Sequence, residues 1–177
     1  MLVADSEMES ESMHSAHQIV AAGILVVLSL GLQCVGMAIL IHRARVYITR
    51  EMNKLNSLDV ALLVFHFTFW VLVLHLLQVL MWAAFYRWRC LPSWESGFYF
   101  SATSYSTVGY GDVILPQGWR LLGPIESIIG VVMCGISVSV LFAIITSLIG
   151  AQAKSPAPPK TQNRAASAPN DEFVGSH

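Results

Sequence analysis

Thr107-Val108-Gly109-Tyr110-Gly111-Asp112 is the stretch on which the reading turns, a hexapeptide set shortly before a long apolar run. Its chemistry lies in the main chain. An extended row of carbonyl oxygens can replace the water shell of a bare cation, and glycine at 109 and 111 permits the dihedrals that keep those oxygens pointing inward. One copy cannot surround an ion, whereas four copies would close a ring.

Working outward, the composition asks for a membrane. Hydrophobic residues make up 55% of the 177 and the mean hydropathy is +0.60, values a soluble domain of this size would accommodate only by exposing apolar surface. Three stretches are long enough to cross about 30 Å of hydrocarbon at about 1.5 Å per helical residue. Ile19 to Ile41 is uncharged over 23 residues, Val60 to Tyr86 supplies 27, and Leu121 to Ile149 supplies 29 with Glu126 as the sole charge.

Charges order these spans. Arg43, Arg45, Arg50 and Lys54 against Glu51 mark the segment between the first two as cytoplasmic. Alternation then puts the amino terminus, with Asp5, Glu7, Glu9 and Glu11, outside, and the tail with Lys154, Lys160 and Arg164 inside. The acidic flank and the following arginines read as a retained first span rather than a cleaved signal. The expected organisation is an acidic external segment over 1–18, a first transmembrane helix over 19–42, a basic cytoplasmic linker over 43–58, a pore-type domain over 59–150 and a disordered cytoplasmic tail over 151–177.

The excursion from Arg87 to Arg120 falls on the external face. Ser93 can cap a short helix beginning at Trp94, with Glu95 in its first turn. That helix, ending near Ser106, is too short to cross, and a half-length helix followed by extended chain reads as a re-entrant element. Its C-terminal end lends partial negative charge where a cation would rest. The carbonyls of Thr107, Val108, Gly109 and Tyr110, with the Thr107 hydroxyl, are the candidate cation ligands. Val108 and Tyr110 are expected to pack behind them against the aromatic helix, with Asp112 at the outer mouth.

From Val60 to Ile149, about half the sequence, the chain resembles the pore module of tetrameric potassium channels, the hexapeptide matching that family's signature at every position. The resemblance implies an all-α membrane protein of three transmembrane helices with an outer helix over 59–86, a re-entrant pore helix over 94–106, a filter over 107–112 and an inner helix over 120–150. It implies a potassium-selective channel, a homotetramer among membrane lipid, with K+ as permeant ion held at backbone carbonyls. It also implies a plasma or prokaryotic inner membrane, and no enzyme activity or cofactor. Two other readings stand beside it: a non-conducting structural or regulatory subunit, and a less selective monovalent cation channel.

Individual positions carry alternatives. Gly130 stands where similar channels have a glycine proposed to bend during gating, and close packing is the other reading. Periodicity from Gly130 directs Cys134, Val138 and Phe142 toward the axis, with Phe142 either a constriction or a contact with lipid or a neighbour. Glu126 could raise cation density near the filter, brace the pore loop or simply sit at the external interface. Where some relatives place a buried Glu, four residues before the filter threonine, this chain has Thr103. Tyr99 and Phe100 stand where relatives have paired tryptophans, and the Tyr99 hydroxyl can still reach Asp112.

The remaining features are quieter. No span carries the repeated basic residues of a voltage sensor. His66 and His75, nine residues apart, face opposite sides of a helix and are expected to be neutral with local hydrogen bonds rather than a metal pair. Gly23, Gly31, Cys34 and Gly36 suggest the packing face of the first span. Cys90 is placed to bridge subunits or remain a free thiol. Nothing resembles a ligand-binding domain, a soluble-substrate site or a nucleic-acid footprint.

Overall fold

Lipid offers no partner for a peptide group, so long apolar segments satisfy their backbones as helices. The computed structural model describes residues 2–51 and 57–152, with side chains described for 16–47 and 58–150. Residues 151 and 152 of the tail expected to be disordered continue helix α4, while Lys54 and the tail from 153 onward lie outside the described residues, as do the side chains of Asp5, Glu7, Glu9, Glu11 and Arg50. Four α-helices occur in the order α1 (Leu2–Glu51), α2 (Ser57–Arg89), α3 (Trp94–Tyr105) and α4 (Leu122–Gln152), with one 3-10 turn at Gln117–Trp119 before the last. No strand occurs among the described residues.

Three of these helices contain segments long and apolar enough to cross a membrane: Ala16–Tyr47, Leu58–Arg89 and Gln117–Gly150. Only 28, 17 and 22% of their apolar windows are buried within the chain, so most of the apolar surface is left for lipid or other copies. The helix α1 extends into both segments flanking the expected span and is 50 residues long.

Local chemistry explains the helix ends. Asp59 stands in the first turn of α2 and Arg87 and Arg89 in its last, each sign facing the complementary end of the dipole. The chain leaves α2 with the N–H groups of Cys90 and Leu91 both donating to the Tyr86 carbonyl, just before Pro92. Ser93 caps α3, its hydroxyl accepting from the Ser96 N–H at 3.1 Å. Pro124 sits in the first turn of α4, where its missing N–H costs no intrahelical bond.

Contacts fix the directions. Gln18 of α1 is buried beside the start of α4, its amide nitrogen donating to Gly118 O at 3.0 Å and its oxygen accepting from Leu121 N–H at 2.8 Å. Fifteen residues on, Gln33 donates to Ser137 at 2.8 Å. The helices α1 and α4 therefore run parallel, while α2 runs antiparallel to both, bringing Trp82 to Ser29 at 3.0 Å. The amino end of α1 and the loop entering α4 share one end of the bundle.

Two apolar clusters sit at the ends of this bundle. Near the α3 end Ala22, Leu25, Trp82, Tyr86, Leu115 and Leu122 are buried together. At the opposite end Met37, Leu40 and Ala44 meet Leu63, Phe67, Val71, Leu74, Ile144 and Leu148. Between them lies a polar layer. Gln78 Nε2 donates to Gln33 Oε1 at 2.7 Å, Tyr105 OH donates to Gln78 Oε1 at 3.3 Å, and His75 Nδ1 lies 2.8 Å from the Tyr105 hydroxyl. Among the described residues no buried side-chain polar atom lacks a partner.

This layer corrects the expected packing face of α1. Its buried stripe is Gln18, Ala22, Leu25, Ser29, Gln33, Met37, Leu40 and Ala44, at helical spacing. Gly23, Gly31 and Cys34 are exposed, and only Gly36 of the expected set approaches α2, at Leu74. In an apolar medium an aliphatic residue serves either face equally, and the polar residues are the ones that must turn inward. Substituting Gln33→Leu will leave the buried Gln78 amide without its acceptor. We expect a loss of about 1–3 kcal/mol, the usual cost of an unsatisfied buried group, seen as a lower melting midpoint in detergent. An unchanged midpoint would show that the layer contributes nothing to the fold.

Candidate functional site

The site is assembled around α3, a helix of 12 residues and so about 18 Å long, held between α2 and α4. Ser101 is fully buried, its hydroxyl 2.9 Å from Val79 O of α2 and 2.5 Å from Glu126 Oε1 of α4. Tyr86 OH donates to the other carboxylate oxygen at 2.8 Å. Ser127 Oγ donates to Ser104 O at 2.7 Å, tying the last turn of α3 to α4. Phe100 meets Tyr86 edge to face at 5.0 Å between centroids.

Glu126 is thus no external electrostatic site. It is wholly buried behind α3, where two hydroxyls satisfy its carboxylate, and it clasps α2 and α3 to α4. Truncation by Glu126→Ala leaves the Tyr86 hydroxyl without its acceptor and the Ser101 hydroxyl with Val79 O alone, around a hole. A loss of about 1–3 kcal/mol is expected, the usual cost of leaving a buried polar group unsatisfied. Glu126→Gln keeps the volume and one acceptor oxygen and should lose less. Thermal unfolding of both variants checks the order, and equal losses would contradict it.

Close approach replaces hydrogen bonds at Gly130. This residue is buried, and a Cβ built there would lie 2.2 Å from Tyr105 O and 3.0 Å from Tyr105 C. The glycine thereby lets α4 touch the C-terminal backbone of α3 directly. The helix α4 continues through it without interruption.

At the end of α3 the backbone changes character. Ser106 caps the helix and Thr107 takes φ +64°, followed by Gly109 at +54° and Gly111 at +78°. These are the positive-φ residues among those described, and they alternate with Val108 and Tyr110. In a plain strand successive carbonyls point to opposite sides, and alternating the sign of φ turns them back toward one side. Glycine takes such values freely, whereas for a β-branched threonine they are strained.

What holds this stretch comes from α3. Thr107 N–H donates to Ser104 O at 2.9 Å and Gly109 N–H to Thr103 O at 3.1 Å. The Thr103 hydroxyl bonds back to Tyr99 O and Phe100 O, each at 3.0 Å, so it does not replace a carboxylate at that position. No hydrogen bond among the described residues ends on the carbonyl of Thr107, Val108, Gly109 or Tyr110. Four consecutive backbone acceptors are left with no protein donor, and all four residues are exposed.

Tyr99 OH donates to Asp112 Oδ2 at 2.8 Å, as the sequence suggested, and this bond to a carboxylate raises the phenol above its ordinary pKa. Asp112 Oδ1 also accepts from Val113 N–H at 3.0 Å. The Tyr99 and Tyr110 rings stack at 6.4 Å. Otherwise the expected packing behind the strand is absent within one chain: Tyr110 is 71% exposed and Val108 52%. Neither has enough of this chain beside it to be covered.

The other candidates are dispersed. Cys134, Val138 and Phe142 are all exposed on α4, while Gly130, expected on the same face, is buried against α3. His66 accepts from Trp70 Nε1 at 3.1 Å on the exposed side of α2, and His75 points inward to Tyr105. Among the described residues no group of His, Cys, Asp and Glu is arranged to hold a metal ion. The sequence reading missed Tyr86, Ser101 and Ser127 as supports of α3. Serines in an apolar setting were the available signal, since each must bond across or within helices.

Cys90 is a free thiol, half-buried against the Trp82 and Tyr86 cluster. Burial pushes its thiol up to about 11, outweighing the nearby Arg89, which acts the other way. The thiolate is the reactive form. At about pH 8 roughly a hundredfold less thiolate is expected than for an unperturbed cysteine, each pKa unit being tenfold. Alkylation followed by peptide mass spectrometry should be slow there and accelerate toward about pH 11. Rapid labelling at neutral pH would contradict the burial.

Residues 61–147 match a family model described as Ion channel, a range beginning in α2, including all of α3 and its loop, and ending in α4. No curated protein and no solved structure matches the chain. Over those residues the chain is similar to ion channels, and three of its helices are long and apolar enough to cross a membrane.

Proposed function

We propose, taking the ion-channel match as premise, that four copies of this chain surround an axis on which the 107–112 stretches meet and that the resulting pore selects potassium. One observation carries this reading: four successive carbonyls without protein donors, in a segment where φ is positive at Thr107, Gly109 and Gly111. A backbone wound this way presents oxygen at every residue. A partly dehydrated monovalent cation needs several such oxygens at once, and fourfold repetition would supply them.

The surroundings support the same reading. The C-terminal end of α3 leads directly into the stretch, so its partial negative charge is directed where cations would gather. Exposed Val108 and Tyr110 would gain cover from neighbouring copies. Cys134, Val138 and Phe142 would then line the inner route, and the basic end of α1 would lie on the cytoplasmic side, with the amino terminus and Asp112 outside. Passage is passive, by repeated exchange of water for carbonyl oxygen down the electrochemical gradient.

Purified protein in potassium-loaded liposomes tests the proposal. Rubidium uptake that exceeds sodium uptake, from protein that is tetrameric by native mass spectrometry, is the expected result. Comparable sodium uptake would favour a less selective cation pore, and no uptake by verified tetramers would favour a non-conducting subunit. A stable monomer would overturn the arrangement altogether.

A further inference from the structure

A groove runs along the exposed side of the seam between α1 and α2. Its cavity of about 280 Å³ has walls that include Val35, Ile39, Trp70 and Leu77, and Arg43 and His66 also line it. A second recess continues from the first, sharing Arg43 and His66 and adding His42 and Tyr47. The apolar slot therefore leads into a basic recess. Among the described residues no Asp or Glu lines either part.

The polar end is built from donors. Arg43 offers a guanidinium with no acceptor capacity. Trp70 Nε1–H donates to His66 Nε2, so a neutral His66 must carry its proton on Nδ1 and present a second N–H. Arg43 follows the uncharged run Ile19 to Ile41 by two residues, at the level where a long basic side chain reaches the headgroups. We infer that this groove holds an acyl chain of an anionic phospholipid, with the lipid phosphate received by Arg43 and His66. The inference concerns the α1–α2 seam and stands independently of the ion selectivity proposed above.

Charge favours lipid over a neighbouring transmembrane span of a second copy. The three spans contain two acids, Asp59 and Glu126. Glu126 is buried and already accepts from two hydroxyls, and Asp59 is already engaged within the chain. A neighbouring span thus has no uncommitted carboxylate to offer Arg43, whereas a phosphodiester brings both the charge and an attached apolar chain.

Native mass spectrometry of the full-length protein, delipidated in detergent and then offered phosphatidylglycerol or phosphatidylcholine, tests this. Wild type should retain the anionic lipid at least several-fold better, and millimolar inorganic phosphate should not displace it, because the chain in the groove contributes to binding. Arg43→Gln should abolish the preference, and Val35→Trp, which fills the slot and leaves Arg43 in place, should lower retention of both lipids. A photoreactive group at Val35 should label phospholipid, a readout that survives even where Arg43→Gln fails to fold. Equal retention of the two lipids, displacement by phosphate, unaltered binding by either variant, or labelling of a second copy would each overturn the proposal.

Discussion

Replacing Gly109 by alanine will reduce cation flux to the level of empty liposomes while leaving the protein assembled. The residue has φ +54°, and a Cβ built there meets nothing within 4 Å. Crowding is therefore not the cause. An L-residue held in this region costs about 1–2 kcal/mol per chain, and the chain relaxes by turning the adjoining peptide planes, moving carbonyls out of the row. Gly23→Ala is the matched control: its Cβ also meets nothing within 4 Å, but it lies within helix α1 and has an ordinary φ. Undiminished flux through Gly109→Ala would remove the carbonyl row from the mechanism.

Gly130→Ala will act by another route, lowering the yield of assembled protein and its melting midpoint together. The new methyl would stand 2.2 Å from Tyr105 O, and the three nearest atoms are all Tyr105 backbone, which cannot swing aside as a side-chain tip can. Relief requires α4 to move away from α3, and overpacking of this kind costs about 1–3 kcal/mol or more. The displaced α3 would carry the 107–112 stretch with it, so flux falls as well. Gly135→Ala, on the same helix with open space at its Cβ, should leave stability unchanged. The two readings of Gly130 separate here: a pure hinge would alter opening with no loss of stability, whereas a packing glycine loses both.

Much of this organisation was legible from residue types. The capping serine at 93 and the length of α3 follow from local rules, because an N-cap bond spans only three residues. The bond from Tyr99 to Asp112 could be anticipated from a donor and an acceptor flanking one short loop. The faces of the long helices were harder to read. Uniformly apolar sequence gives no contrast between buried and lipid-facing sides, so Gly23, Gly31 and Cys34 drew attention while Gln18, Ser29 and Gln33 marked the contact. Glu126 had three readings, and choosing among them needed to know that Tyr86 and Ser101, 40 and 25 residues away, would converge on its two oxygens.

By itself, then, the sequence determined three helices long and apolar enough to cross a membrane and singled out the stretch whose main chain is proposed to carry the chemistry, because length, hydropathy and glycine placement are local properties. Tertiary structure alone decided which polar side chains meet between helices, that α1 belongs to the core through Gln33, and that Gly130 is where two backbones touch. Such pairings join residues from 25 to 104 positions apart in the chain. In an apolar solvent the few polar groups, each obliged to find a partner, select that approach.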